Sequence, residues 1–438
     1  MRDEPAPQPA ATVTAPRTSV ASKSVPTALA LVILVLLPLR AVTPFASSFL
    51  SLGVIISIAL APVTLPAVMR YRFGTPIVVG YLLVFLTAPM TWVFAGAHEV
   101  DAGVALLQLA PLLASLVFLV TILWARQYLS LATVAVALAV GMAAQAALST
   151  GENYDLNPWK FGLAVPATLV VLAVSTRLPR LVTLGFLGVL AVVSGVAGYR
   201  SFIAFLLITA LFWVLMESRR GTTKHVWRRL LPMLALTYLA YVALLQAALM
   251  GWLGQRNRDV TITQLASGGS VFTAGRSETA ATIALFLHRP IGLGPGVLPA
   301  PEDVAVGTEA LFSSGVDVDG TYVKDYLFGE TIKLHSVAAD LWITFGLAGL
   351  VLAAILVAAI CNGLFHALKA HPVSPLAIFL GVLALWDMAF SPIGTNLWQV
   401  VVAVGLLLPV ATAARAPRQK SFRSYGARSR LRVAGTPA

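Results

Sequence analysis

The sequence predicts an all-α polytopic membrane protein of about 12 transmembrane helices, with a large extracytoplasmic loop between the ninth and tenth. Three observations carry that expectation. Of the 438 residues, 58% are hydrophobic and only 11% charged, a balance foreign to a soluble domain of this length. Apolar runs of about 20 residues, enough for a helix to cross the hydrocarbon layer, recur along most of the chain. Basic residues collect in short segments between alternate runs, as the positive-inside rule requires.

The elements follow in order. Residues 1–26 are rich in Pro, Ala, Ser and Thr without apolar periodicity, which describes a disordered cytoplasmic tail. The next apolar run resembles a signal-peptide core. It passes almost directly into a second span with no cleavage site, and so reads as an uncleaved first helix. Spans are expected near 27–43, 47–68, 74–95, 102–124, 128–149, 162–177, 180–198, 200–216 and 230–253. These nine helices fill 27–253. Three more, near 336–360, 374–391 and 394–413, fill 336–413, and residues 414–438 form a basic cytoplasmic tail.

With the N-terminus inside, the cytoplasmic loops hold Arg70 and Arg72, Arg126, Arg177 and Arg180, the cluster Arg219, Arg220, Lys224, Arg228 and Arg229, and Lys369. Together with the tails they account for 21 of the 30 basic residues. Glu99, Asp101, Glu152 and Asp155 fall outside, as does the loop at 254–335, which carries half of the 18 acidic residues. The net charge of +12 is therefore topology, and no nucleic-acid partner is expected. The only cysteine, Cys361, lies in an apolar run, so no intrachain disulfide can form. The loop is long and not low-complexity, and is expected to fold as a small cap.

Candidate chemistry lies at the outer face. Arg200, in "SGVAGYRSF" (194–202), fits either a snorkelling arginine or an anion contact. In "FTAGRSETAATIALFLHRP" (272–290), Ala280, Ile283, Ala284 and Leu287 have helical spacing and put Arg276 at a helix N-terminus. Backbone N–H groups, the helix dipole and a guanidinium would converge there and suit a diphosphate; a surface pair with Glu278 is the plainer reading. Gly292, Gly294 and Gly296 in "HRPIGLGPGVL" (288–298) permit a structural turn or close approach to a ligand, with His288 and Arg289 ending the preceding helix. "KLHSVAADLWITFGLAGL" (333–350) leaves His335 at the outer boundary, either as a base or charge stabiliser or as a satisfied interfacial histidine. Asp340 lies just inside. Asp387, in "LWDMAF", adds an ionisable group at membrane depth. Glu302, Asp303, Asp317 and Asp319 follow no calcium-loop pattern and no zinc constellation is evident, so neither metal nor cofactor is expected.

These segments resemble the O-antigen ligase family of bacterial envelope glycosyltransferases, which includes related polysaccharide polymerases. The shared plan is about 12 helices with a large outer loop before the last three. "GYRSF" resembles the family's Arg segment opening a helix; "AGRSETAATIALFLHRPIGLGPG" resembles its "GR…A…F…HPLLGVGPG" segment. "LHSVAADLWITFGLAGL" resembles its "HNxYLQLLAExGLxGL" segment, with Ser336 in place of the usual Asn, Ala338 in place of Tyr, and Thr344 and Phe345 where the usual Glu precedes the Gly-Leu pair. The resemblance implies catalytic roles for His335, Arg276 and Arg200. It also implies a multi-pass protein of the bacterial plasma (inner) membrane, both termini cytoplasmic. The implied reaction is metal-independent transfer of a glycan from an undecaprenyl-diphosphate carrier to a hydroxyl on a glycan, lipid or cell-wall acceptor, with Arg276 and Arg200 contacting the diphosphate beside membrane lipids. Gly294, Gly296 and Asp387 are expected as further substrate contacts on the residue reading alone. A transporter or flippase for a lipid-linked glycan is the alternative. Transporters show internal repeats that this sequence lacks, and its candidate residues share one face.

Overall fold

The computed structural model describes residues 21–40, 51–149, 156–217, 254–266, 278–370 and 372–411, with parts of 235–252. Among these residues the protein is all-helical, with isolated β-bridges and no strand. In chain order the helices are α1 (Ala21–Leu36), α2 (Leu52–Ala59), α3 (Ala61–Thr64, extended by a 3-10 turn to Arg70), α4 (Gly74–Val93), α5 (Ala102–Ala125) and α6 (Leu131–Leu148). A π-turn at Trp159–Leu163 leads into α7 (Ala164–Val174), then α8 (Arg180–Val196) and α9 (Arg200–Glu217). The region expected as a loop supplies α10 (Gln255–Ala266), α11 (Glu278–His288), α12 (Pro301–Ser313) and a π-turn at Tyr322–Leu327. Last come α13 (Val337–Lys369), α14 (Pro375–Phe390) and α15 (Ile393–Leu407).

Among the described residues, five helical units are long and apolar enough to cross a membrane: α4, α5, α6, Trp159–Arg177 and α13. A sixth results if α2 and the helix from Ala61 to Arg70, bent by 70°, count as one span. The expected continuous span at 47–68 is therefore broken, because Pro62 sits in the first turn of α3, where its missing N–H is harmless but cannot continue α2. Helix α1 ends at Leu36, short of the expected 43, and 11 of the 24 positions of the expected ninth span (230–253) lie outside the described residues. Leu86, Leu106, Leu181 and Val196 are largely exposed, as lipid-facing side chains would be.

Polar residues punctuate the apolar runs. Ser51, Asp101, Ser130, Ser336 and Ser374 each accept a first-turn backbone N–H, fixing where α2, α5, α6, α13 and α14 begin. Helix α13 packs on α4, α14 and α15, α15 packs on α5, and α9 joins α8 to α14. At one end of this bundle Arg126 donates to the carbonyls of Gly405 and Leu408 at 2.7 and 2.9 Å, satisfying the C-terminus of α15. Arg72 meets His366 there at 3.0 Å, with Lys369 nearby at the end of α13. The opposite end carries the cap.

The cap has its own apolar core, in which Leu285, Leu311 and Leu327 pack on Trp342 of α13. Its glycine-rich turn fills a break in that helix. Gly346 has φ 66° and ψ −154°, which interrupts the i to i−4 ladder. The carbonyl of Ile343 instead accepts the Leu293 N–H at 2.9 Å. Gly292, at φ +76°, lies so close to α13 that an added Cβ would sit 2.5 Å from the Trp342 carbonyl oxygen. Two indoles clamp the turn, Trp342 to the Pro290 carbonyl at 3.0 Å and Trp92 to the Pro295 carbonyl at 2.6 Å.

Candidate functional site

At the cap end of the bundle a cavity of about 740 Å³ opens between α2, α5, α6, α9, α14 and α15, closed also by Leu37, Pro38 and Arg40 just past the end of α1. Arg200, His335 and Asp387 all line it. So do two basic residues the sequence reading passed over, Arg40 and Lys160, leaving three cations facing one carboxylate among the described lining residues. Much of the remaining wall is apolar, including Phe118, Met142 and Ile203.

Local chemistry places Arg200. Gly198, at φ +71°, turns the chain between α8 and α9, and the Tyr199 N–H donates to the Ser194 carbonyl at 2.8 Å. Trp159 Nε1 donates to Ser194 Oγ at 3.0 Å and Asn157 Nδ2 to the Ala197 carbonyl at 2.6 Å, so the π-turn braces this corner. Helix α9 therefore opens at Arg200, putting its guanidinium beside the positive end of the helix dipole. Arg200 NH1 donates to the buried Thr261 hydroxyl of α10 at 2.8 Å. The Lys160 ammonium lies 6.0 Å from the Tyr199 ring centroid, which keeps it on the same wall.

His335 adopts φ 52°, a left-handed conformation that costs a non-glycine residue about 1–3 kcal/mol and needs surrounding support. Support comes from both flanks. The Leu334 N–H donates to Asp340 Oδ1 at 2.6 Å, and Ser336 Oγ donates to the Met388 carbonyl at 2.9 Å. Tyr322 OH lies 3.2 Å from His335 Nδ1 and donates to Glu278 Oε1. Tyr326 stacks on Tyr322 with centroids 5.6 Å apart and lies 5.2 Å from the imidazole. Burial, then the carboxylates of Asp340 and Glu278, raise the Tyr326 phenol above its ordinary range and keep it neutral.

Asp387 is 2% exposed. Its Oδ1 accepts from Ser391 Oγ at 2.7 Å and Asn396 Nδ2 at 3.0 Å, while Oδ2 has no partner among the described residues. Asp387 thus combines a place in the cavity lining with a buried oxygen whose hydrogen-bonding capacity is unfilled among the described residues.

Gly294 and Gly296 line neither this cavity nor the smaller one beside His335. Gly294 packs on Thr91, and Gly296 exchanges backbone contact with Asp101, whose N–H donates to the Gly296 carbonyl at 2.8 Å. Their positive φ permits the close approach of cap to α4 and α5: an added Cβ would meet the Thr91 side chain at Gly294 and the Asp101 carbonyl at Gly296. Arg276 lies outside the described residues, two positions before the start of α11.

Behind the site, Asp303 ties the cap together. It is fully buried and accepts from Arg289 Nε, from His98 Nε2 at 2.8 Å and from the Ala300 N–H at 3.0 Å. Burial alone would raise its carboxyl; the hydrogen bonds and the Arg289 charge outweigh that and hold it below the usual carboxylate range.

No family model matches the chain, and comparison with curated proteins and with solved structures gives no significant match either.

Proposed function

We propose that this chain is an extracytoplasmic glycosyltransferase that moves a glycan from an undecaprenyl-diphosphate carrier to an acceptor hydroxyl, as a ligase or polymerase of cell-envelope polysaccharide. The observation that carries the reading is the gathering of Arg200 and His335, remote in sequence, on one cavity with Arg40 and Lys160. Cations beside an apolar wall suit a diphosphate borne on a prenyl chain. The sequence resemblance to O-antigen ligases supports the same residues. In this reading the chain crosses the bacterial plasma membrane about 12 times with both termini in the cytoplasm. The segregation of Arg72, Arg126 and Lys369 to the end opposite the cap supports that orientation.

The acceptor oxygen attacks the anomeric carbon of the donor sugar. The bond from that carbon to the diphosphate oxygen breaks, and the acceptor proton passes to His335. The carrier diphosphate leaves with one more negative charge, which Arg200, Arg40 and Lys160 stabilise. Asp387 orients the sugar through its hydroxyls. No metal enters this scheme.

Removing the protein tests the assignment. A transferase defect leaves carrier-linked glycan accumulating with its sugars exposed to lectin on the outer face. Accumulation on the cytoplasmic face would identify a flippase instead.

A further inference from the structure

We propose that Glu278 and Tyr322 are positioning residues that fix His335 as the tautomer with its proton on Nδ1 and its lone pair on Nε2. What Nε2 then does rests on the transferase reading; the tautomer does not.

The argument is a count of hydrogens. Tyr322 OH donates to Glu278 Oε1, which uses its single hydroxyl hydrogen. Toward His335 Nδ1, 3.2 Å away, the phenolic oxygen can then only accept. The proton between them belongs to Nδ1, and a neutral imidazole protonated there presents an accepting Nε2. Neutral histidine in water prefers the opposite tautomer, so the relay imposes a choice that solvent would not.

The surroundings hold the relay in place. Glu278 is 8% exposed at the first residue of α11, and the Thr282 hydroxyl donates to its carbonyl at 2.8 Å. Tyr322 opens the π-turn at Tyr322–Leu327, which sets Tyr326 parallel to it at an interplanar angle of 10°. Both tyrosines therefore flank the imidazole from one side. His335 lines the large cavity and also a smaller one of about 160 Å³ that Glu278 lines. One ring edge meets the relay while the residue also borders the substrate cavity. After proton transfer, the carboxylate behind Tyr322 stabilises the imidazolium through the shared hydrogen bonds, a role parallel to that of the buried acid in hydrolase triads.

The test is nitrogen NMR on the full chain in lipid nanodiscs, ¹⁵N-labelled at histidine, with His335 assigned by the signal lost in His335→Gln. Wild type should show a protonated Nδ1 and an unprotonated Nε2, and Tyr322→Phe should move the population toward Nε2–H. Wild type protonated at Nε2, or no redistribution in Tyr322→Phe, would overturn the relay. Glu278→Gln keeps the side-chain volume and should give a partial shift; it carries the same test if Tyr322→Phe does not fold. In reconstituted transfer, Tyr322→Phe should lower kcat at least about tenfold with KM nearly unchanged. A wild-type kcat would overturn the positioning role. Wild type that shows the relay tautomer yet transfers no glycan would sink the transferase reading and leave the relay standing.

Discussion

The carboxylate of Asp340 accepts the backbone N–H of Leu334 at 2.6 Å, and its second oxygen accepts the Ile393 N–H at 2.9 Å. One buried side chain thus joins the segment before His335 to the first turn of α15, satisfying a donor the helix leaves unpaired. Asp340→Asn retains the shape but replaces one accepting oxygen with an amino group. One N–H then loses its partner at a cost of about 1–3 kcal/mol. The expected result is a lower melting temperature in detergent together with loss of transfer in the fraction that remains folded. Wild-type melting and activity would contradict the bracing role.

The glycine contacts at the break in α13 make a second prediction. A Cβ on Gly292 would lie 2.5 Å from the Trp342 carbonyl oxygen, and one on Gly346 would lie 2.9 Å from that of Ile291, both at positive φ. Either glycine to alanine change should destabilise by about 1–3 kcal/mol through strain and displaced backbone. Gly188→Ala in α8 is the control, since its Cβ meets nothing within 4 Å. It should be neutral or stabilising by up to about 1 kcal/mol. Equal melting for all three variants would refute the close fit of turn to helix.

Acid should loosen the cap through Asp303. Its folded pKa lies below the unfolded value, so its contribution is complete above the ordinary carboxylate range, near pH ~4. The contribution is lost as pH falls through the folded value. Hydrogen exchange of α11 and α12 should accelerate below about pH 4 in the wild type. Asp303→Asn should exchange faster at neutral pH and lack that acid-dependent component. A variant whose exchange matches the wild type at pH 7 would show that the Arg289 and His98 contacts contribute nothing.

Particular residues show how much of this was legible in the sequence. Arg200, His335 and Asp387 stood out because cations at an outer face and acids at membrane depth carry a cost that needs a reason. The relay was hidden: Glu278 is 44 residues from Tyr322 and Tyr322 13 from His335, and only the folded cap brings them together. Gly294 and Gly296 have the same signature whether they face a ligand or a neighbouring helix, and only their surroundings decide. Arg40 and Lys160 sit at span ends, where long basic side chains attract no notice. The apolar runs located the helices, while the break at Gly346 depended on a cap turn supplying Leu293 to a stranded carbonyl.

The most direct test of the central claim is transfer by the purified chain in liposomes, supplied with an undecaprenyl-diphosphate-linked glycan and an acceptor. Wild type should release the carrier diphosphate in step with glycan appearing on the acceptor. His335→Gln should lower the rate by about 10² or more while inserting normally. Arg200→Ala should fail comparably, and Arg276→Lys should fail nearly as badly as Arg276→Ala, because an ammonium cannot reproduce a planar fork. Wild-type rates in His335→Gln and Arg200→Ala, or no coupled release by the wild type, would contradict the assignment of this cavity to glycan transfer.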